Sequence, residues 1–410
     1  MKDHLTIDDL DLEGKTVIYR VDINCPLQES TLELANDNRI REILPTLKEM
    51  LARKAKVVIL AHQSRPGEWD YTPLERHAKR TSELLGQEVR YVDDLYGDEA
   101  KRAISAMRPG TVIMLKNVRD EPGELDKSPM EVHARSNMVK ELSSVADVYV
   151  SDAFGAAHRS QCSLVGFQAL LPSAAGRLMQ KELEALHAVF DSPSHPCVFV
   201  LGGSKFSDAI KVVDRVLTKG IADKVLLVGL AGNAFLKASG SDLGKRSEEI
   251  LMKEFTEENL HSANVLLEMY SERIFLPTDV ALDDNGKRKD VQVSELPSDM
   301  PIMDIGKETA ARFSQIAAGA CTVFMSGPAG VIERDEFSLG TRIIMEAIVS
   351  GKAFSVIGGG HTVSAAQKYG CCCRFSYVST GGGALETYIL GKPLPVVEAL
   401  KVACKRERGK

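Results

Sequence analysis

Residues 15–23 read Lys-Thr-Val-Ile-Tyr-Arg-Val-Asp-Ile, a β-branched and aromatic run that closes on a carboxylate. Its composition is that of a strand. The form recurs downstream as KVVILAH (56–62), GTVIMLKNV (110–118), ADVYVSDAF (146–154), PCVFVLGG (196–203), KVLLVGLAG (224–232), RIFLPTDVAL (273–282), CTVFMSG (321–327) and AFSVIGGG (353–360). Amphipathic, helix-like stretches separate these runs, and that alternation specifies parallel sheets with helices on both faces. Nine runs exceed one simple sheet. The expected fold is α/β, with two Rossmann-like lobes of mainly parallel strands joined by a hinge helix.

The break falls at AAGRLMQKELEALHAVFDSPSHP (174–196), a long helical pattern ended by a proline-rich segment. The expected domains are 1–175, with a C-terminal tail of about 391–410 returning to it, and 191–390, with 176–190 as the hinge helix. At 410 residues with 44% hydrophobic and 26% charged content, the chain can fill two cores.

The start, MKDHLTIDDLDLEGK, is acidic where a signal peptide needs a basic, apolar opening, and no segment approaches the roughly 20 apolar residues of a membrane span. A cytoplasmic protein with no membrane partner is expected. A net charge of −6 without a long basic run requires no nucleic-acid partner. The eight cysteines, including the triplet Cys371–Cys373, fit neither a paired metal spacing nor a disulfide framework, so reduced structural thiols are expected. The lone Trp69 is expected to pack near the loop after the second run.

In open α/β sheets ligands bind beyond the carboxyl ends of strands. In the first half those ends carry Asp22 and Asn24, His62 and Arg65, Arg119, and Arg159, with Arg39 following in the first loop. Arginine occurs fourteen times in residues 1–180 and ten times in the remaining 230. Its planar fork pairs bidentately with carboxylate and phosphate, so the set describes a cradle for a small polyanion bearing a hydroxyl. In the second half the ends carry glycine: Gly202-Gly203-Ser204-Lys205, Gly229, Gly327-Pro328-Ala329-Gly330, Gly358-Gly359-Gly360-His361-Thr362 and Gly381-Gly382-Gly383. Glycine lets backbone N–H groups approach phosphate oxygens, and a following helix adds the positive end of its dipole. Neither GxxxxGK[ST] nor a strand-linked GxGxxG is present. An arginine-rich and a glycine-rich half suit phosphoryl transfer, which depends on alignment and charge neutralisation. The alternatives are a dinucleotide enzyme, for which the fingerprint is missing, and a silent nucleotide-binding scaffold.

The ordered stretches RVDINCPL, AHQSRPG, LKNVRD, SDAFGAAHRS, LGGSKFSDAI, LPTDVAL, DIGKET, SGPAGVIE, VIGGGHT and STGGGALE resemble phosphoglycerate kinase over essentially the whole chain. The resemblance implies that Asp22, Ile23, Asn24, Arg39, His62, Gln63, Ser64, Arg65, Arg119 and Arg159 hold 3-phosphoglycerate or 1,3-bisphosphoglycerate. It implies that Gly203, Lys205, Gly359, Gly360, His361 and Thr362 hold ATP or ADP, with Glu333 reaching the ribose and Arg39 and Lys205 catalytic. It further implies Mg2+ with the nucleotide, a monomer or homodimer, and reversible in-line transfer in a closed interdomain cleft, in glycolysis and gluconeogenesis.

This sequence departs from the commoner pattern at four places. His361 stands for an aspartate that approaches the metal, as in the archaeal GGGHT form. Ala209 stands for a second lysine, Ser326 for asparagine, and Gln63-Ser64 for Leu-Gly. Imidazole is a poor magnesium ligand, so either another group or water completes the shell, or the nucleotide holds the metal alone.

Overall fold

The computed structural model describes residues 3–203, 205–252 and 254–409. The chain divides into two units, Met1–Leu183 with Lys392–Lys410, and Glu184–Gly391.

In the first unit the strands are β1 (Leu5–Thr6), β2 (Thr16–Val21), β3 (Lys56–Leu60), β4 (Val89–Tyr91), β5 (Val112–Met114), β6 (Val148–Asp152) and β7 (Ser173–Ala175). They form one parallel sheet in the order β1-β7-β6-β2-β3-β5-β4. Every residue of β2 and β6 is buried, as expected of central parallel strands covered by helices on both faces. The helix Asn38–Ala52 turns Ile40, Ile43, Leu44, Leu47 and Met50 onto the core beside β2 and β3, a spacing of one helical face. β1, β4 and β7 are two- or three-residue strands at or near the sheet edges, too short to leave a pattern in the sequence.

The C-terminal helix Pro395–Arg408 also packs on this unit. Arg406 donates to the carbonyls of Gln168 at 2.8 Å and Leu171 at 2.7 Å, and Cys404 packs with Leu5 and Ala174. The chain leaves the unit within the helix Arg177–Phe190, whose first turn is capped by Asp152 accepting from Met179 N at 2.8 Å.

The second unit contains β8 (Cys197–Leu201), β9 (Lys224–Leu227), β10 (Ile274–Phe275), β11 (Asp279–Asp284), β12 (Lys287–Gln292), β13 (Ile302–Ile305), β14 (Thr322–Ser326), β15 (Phe354–Gly358) and β16 (Tyr377–Val378). A parallel sheet runs β10-β9-β8-β14-β15-β16, and a separate antiparallel sheet runs β12-β11-β13. The stretch 273–282, read above as one strand, is therefore two. Pro277 has no N–H for a ladder, so Ile274–Phe275 pairs with β9 and the chain enters the antiparallel sheet only after the proline.

The described cysteines are free thiols, and Cys372–Arg374 form a short turn ahead of β16. Trp69 is 54% exposed rather than packed, which corrects the expectation for it. Among the described residues, no helix is long and apolar enough to cross a membrane.

Candidate functional site

β6, β2, β3 and β5 are neighbours in the first sheet, so the loops after them lie side by side at its carboxyl edge. Those loops deliver Asp22 and Asn24, His62 to Arg65, Arg119, and Arg159. Asp22 pairs with the Arg39 guanidinium and accepts from Asn24 N at 3.2 Å. Burial works to raise its pKa, but the Arg39 charge overrides this and the carboxyl is brought down to about 2. Gly155 makes that approach possible, since a Cβ there would stand 2.7 Å from Asp22 Oδ2.

Arg119 is 95% removed from solvent, being 5% exposed, yet among the described residues its Nε and Nη1 have no hydrogen-bond partner. Burial, then the charges of Arg159 and Arg20, push its pKa down to about 10. A buried cation with idle donors and cationic neighbours is an unfavourable arrangement that a bound anion relieves. Arg159 is shifted down in the same sense, by burial and by Arg65, Arg20 and Arg39, with Asp22 opposing. Burial and the Arg20 charge likewise hold His62 well below its ordinary value. Arg65 is exposed beside this group.

Three of the expected ligands are constrained in what they can offer. Ile23 packs in the hydrophobic core, so only its backbone faces the edge. The Gln63 side chain is used internally, donating to Cys25 O at 3.0 Å and meeting His77 Nε2 at 3.1 Å. Ser64 has φ +53°, in the left-handed region where the resembled pattern has glycine. It is held there by Ser64 N donating to Asn24 Oδ1 at 3.0 Å and by its hydroxyl donating to Asp70.

In the second unit, β8, β14 and β15 are adjacent, and their glycine loops meet. Gly202 N donates to Ser326 O at 2.7 Å, and Gly327, at φ +90°, leaves no room for a side chain, since a Cβ would fall 2.4 Å from Gly202 C. Gly327 N donates to Thr362 Oγ1 at 2.7 Å, so the buried Thr362 hydroxyl serves the loop. The helices Phe206–Thr218 and Gly360–Lys368 start directly after β8 and β15, presenting their positive ends with Lys205, Gly359, Gly360 and His361. Lys205 is 65% exposed and only 3.9 Å from Asp208.

Two cavities adjoin here and share Gly203, Pro328 and His361. One, of about 270 Å3, is lined by Gly202, Lys205, Asp208, Gly327, Gly360 and Glu386. The other, of about 310 Å3, is lined by Leu230, Asn233, Ile250, Val331, Ile332 and Glu333. An amide-rich cavity carrying a lysine beside a largely apolar one with a carboxylate has the chemistry of a nucleotide site. Ala209 lies on the helix lining the first cavity.

Reading the sequence alone left out Arg20, Asn117, Gly155 and Asn233. Asn117 Nδ2 donates to Gln63 O at 2.9 Å and Thr72 O at 3.2 Å while its Oδ1 accepts from Arg119 N at 3.1 Å, tying two site loops together. For Arg20 a signal existed: a lone charged residue inside an otherwise strand-like run.

The family model described as phosphoglycerate kinase matches residues 7–392. The chain is 44% identical to a phosphoglycerate kinase of Methanothermus fervidus, over 98% of each chain. It is 39% identical to that of Thermoplasma acidophilum, over 100% of each. The crystal structure of phosphoglycerate kinase from Pyrococcus horikoshii is similar with a TM-score of 0.88 at 39% identity, covering 98% of this chain and 100% of that one. The corresponding values for the Coxiella burnetii structure are 0.85 and 32%, with 99% and 100% covered.

Proposed function

This chain belongs to the phosphoglycerate kinase family and is a kinase, and from that premise we propose that it transfers a phosphoryl group reversibly and in line between 1,3-bisphosphoglycerate with ADP and 3-phosphoglycerate with ATP. The observation that carries the reading is Arg119, a buried guanidinium with two idle donors among Arg20, Arg65 and Arg159. Such a cluster has a use only with an anion bound. In this reading Arg65, Arg119 and Arg159 hold phosphate or carboxylate oxygens of the phosphoglycerate, His62 donates to it, and Asp22 and Asn24 address its hydroxyl. Lys205 and the amides of Gly203, Gly359, Gly360 and His361 hold the nucleotide phosphates, and Glu333 meets the ribose.

The family implies Mg2+ on the nucleotide, and the donors present fit a metal carried mainly by phosphate oxygens. Among the described residues, no three His, Cys, Asp or Glu side chains converge on one point. The first cavity offers the carboxylates Asp208 and Glu386, and magnesium sites commonly combine one or two carboxylates with substrate phosphates and water. When bound, the ion would neutralise charge on the transferring group. His361 offers nitrogen, so its imidazole is not assigned to the metal.

The experiment is steady-state kinetics of Arg65→Ala and Arg159→Ala. Each removes a charge-assisted contact made equally in ground and transition states, worth about 1.5–3 kcal/mol, so KM for 3-phosphoglycerate should rise roughly 10- to 100-fold with kcat nearly unchanged. KM for the nucleotide should stay within about twofold. An equal rise in both KM values would assign these arginines to the wrong ligand.

A further inference from the structure

We propose that Glu124, Ser163 and Arg20 form a buried hydrogen-bonded relay that holds His62 as a neutral imidazole donating from Nε2, making all three positioning residues for the anionic substrate. The proposal rests on the reading of this edge as the phosphoglycerate site.

Arg20, Ser163 and Glu124 are fully buried and His62 is 2% exposed. Glu124 Oε1 accepts from the Ser163 hydroxyl at 2.6 Å, while Oε2 accepts from Ser163 N at 2.8 Å and from Cys162 Sγ at 3.0 Å. The hydroxyl has one hydrogen, and it is spent on Glu124. Ser163 Oγ therefore presents a lone pair to Arg20 Nε, which donates to it at 2.8 Å. Arg20 Nη1 donates to Val21 O, which leaves Nη2 aimed at His62 Nδ1 at 3.2 Å.

A guanidinium carries donors only. The nitrogen facing it must be the unprotonated one, and the neutral ring then carries its proton on Nε2. Among the described residues no protein group accepts from that Nε2, so it is available to a ligand. Burial is the largest influence against protonation of the ring; the charges of Arg20, Arg119 and Arg159 oppose it too, and Asp22 favours it. The ring is thus a fixed-charge hydrogen-bond donor through the pH range in which an ordinary histidine, with a pKa of about 6.5, changes charge. Without the Ser163 hydroxyl Arg20 Nε loses its acceptor, Nη2 is no longer held against Nδ1, and the ring loses the contact that fixes its tautomer.

The test is nitrogen-15 NMR of histidine-labelled protein across pH 5 to 8, on the unmodified chain, Ser163→Ala and Ser163→Thr, together with KM for 3-phosphoglycerate over the same range. The expected result is a single Nε2–H tautomer for His62 that does not titrate in the unmodified chain, and a mixture of Nε2–H and Nδ1–H tautomers in Ser163→Ala. In Ser163→Ala, KM for 3-phosphoglycerate should also rise roughly tenfold across the range, with the nucleotide KM unchanged. Ser163→Thr, which keeps the hydroxyl, should restore both. An Nδ1–H tautomer, or titration near pH 6.5 in the unmodified chain, would overturn the proposal whether or not the variants fold. So would a Ser163→Ala protein that loses thermal stability alone. The NMR arm needs no substrate: a His62 that behaves as expected in a protein without kinase turnover would support the relay while contradicting the functional reading.

Discussion

Lys205→Ala is expected to lower kcat by on the order of 10² to 10³ while the affinity for ADP falls only slightly. Lys205 precedes the helix Phe206–Thr218, stands 65% exposed, and among the described residues has only Asp208, at 3.9 Å, as a salt-bridge partner. A lysine so loosely held is available to a ligand. In phosphoryl transfer charge spreads over the three equatorial oxygens, and a cation aimed there stabilises the transition state more than either bound substrate. Ground-state phosphate binding has other providers here, the glycine amides and two helix N-termini. The loss should therefore appear in the chemical step. Arg39→Ala is expected in the same range, with the added effect of leaving the buried Asp22 without its ion pair. Single-turnover rates and ADP titrations check this: weakened nucleotide binding with an unchanged chemical step would reassign Lys205 to ground-state neutralisation.

Gly327→Ala is expected to be strongly damaging to the glycine loops of the second unit. Its Cβ would fall 2.4 Å from Gly202 C and 2.5 Å from Gly203 N, both backbone atoms. Neither can swing aside as a side-chain tip could. The φ of +90° adds strain of about 1–3 kcal/mol for any residue with a Cβ, and forced overpacking costs about as much again. The loops after β8 and β14 would have to part, misaligning the amides offered to phosphate. A fall of several degrees in Tm and a loss of at least about tenfold in ADP affinity are expected, with the phosphoglycerate site unaffected. Calorimetry and ADP titration provide the check, and an unchanged Tm with full ADP affinity would contradict the packing described for these loops.

Much of this was legible in the sequence for a physical reason. Central parallel strands such as Thr16–Val21 and Val148–Asp152 are buried on both faces, so they must be written as continuous apolar runs, and the polar residues that end them stand out. Strands such as Val89–Tyr91 and Ser173–Ala175 form only because a sheet is already there to pair with, and pairing over long sequence separations leaves no local pattern. The split at Pro277 was written in the chain but masked by apolar residues on both sides.

At the site, spacing identified which loops matter but not which way side chains point. Ile23 and Gln63 sit in the right motif, yet one packs in the core and the other bonds to Cys25 and His77. Arg20 was passed over for the converse reason, since its importance lies in buried partners distant in the chain, His62 42 residues away and Ser163 143 away.

The most direct test of the central claim is ATP formation from 1,3-bisphosphoglycerate and ADP with Mg2+, followed by a coupled assay on the purified chain. The expected result is turnover that requires both substrates and reverses when 3-phosphoglycerate and ATP are supplied. A correctly folded chain that binds ADP but forms no ATP in either direction would contradict it.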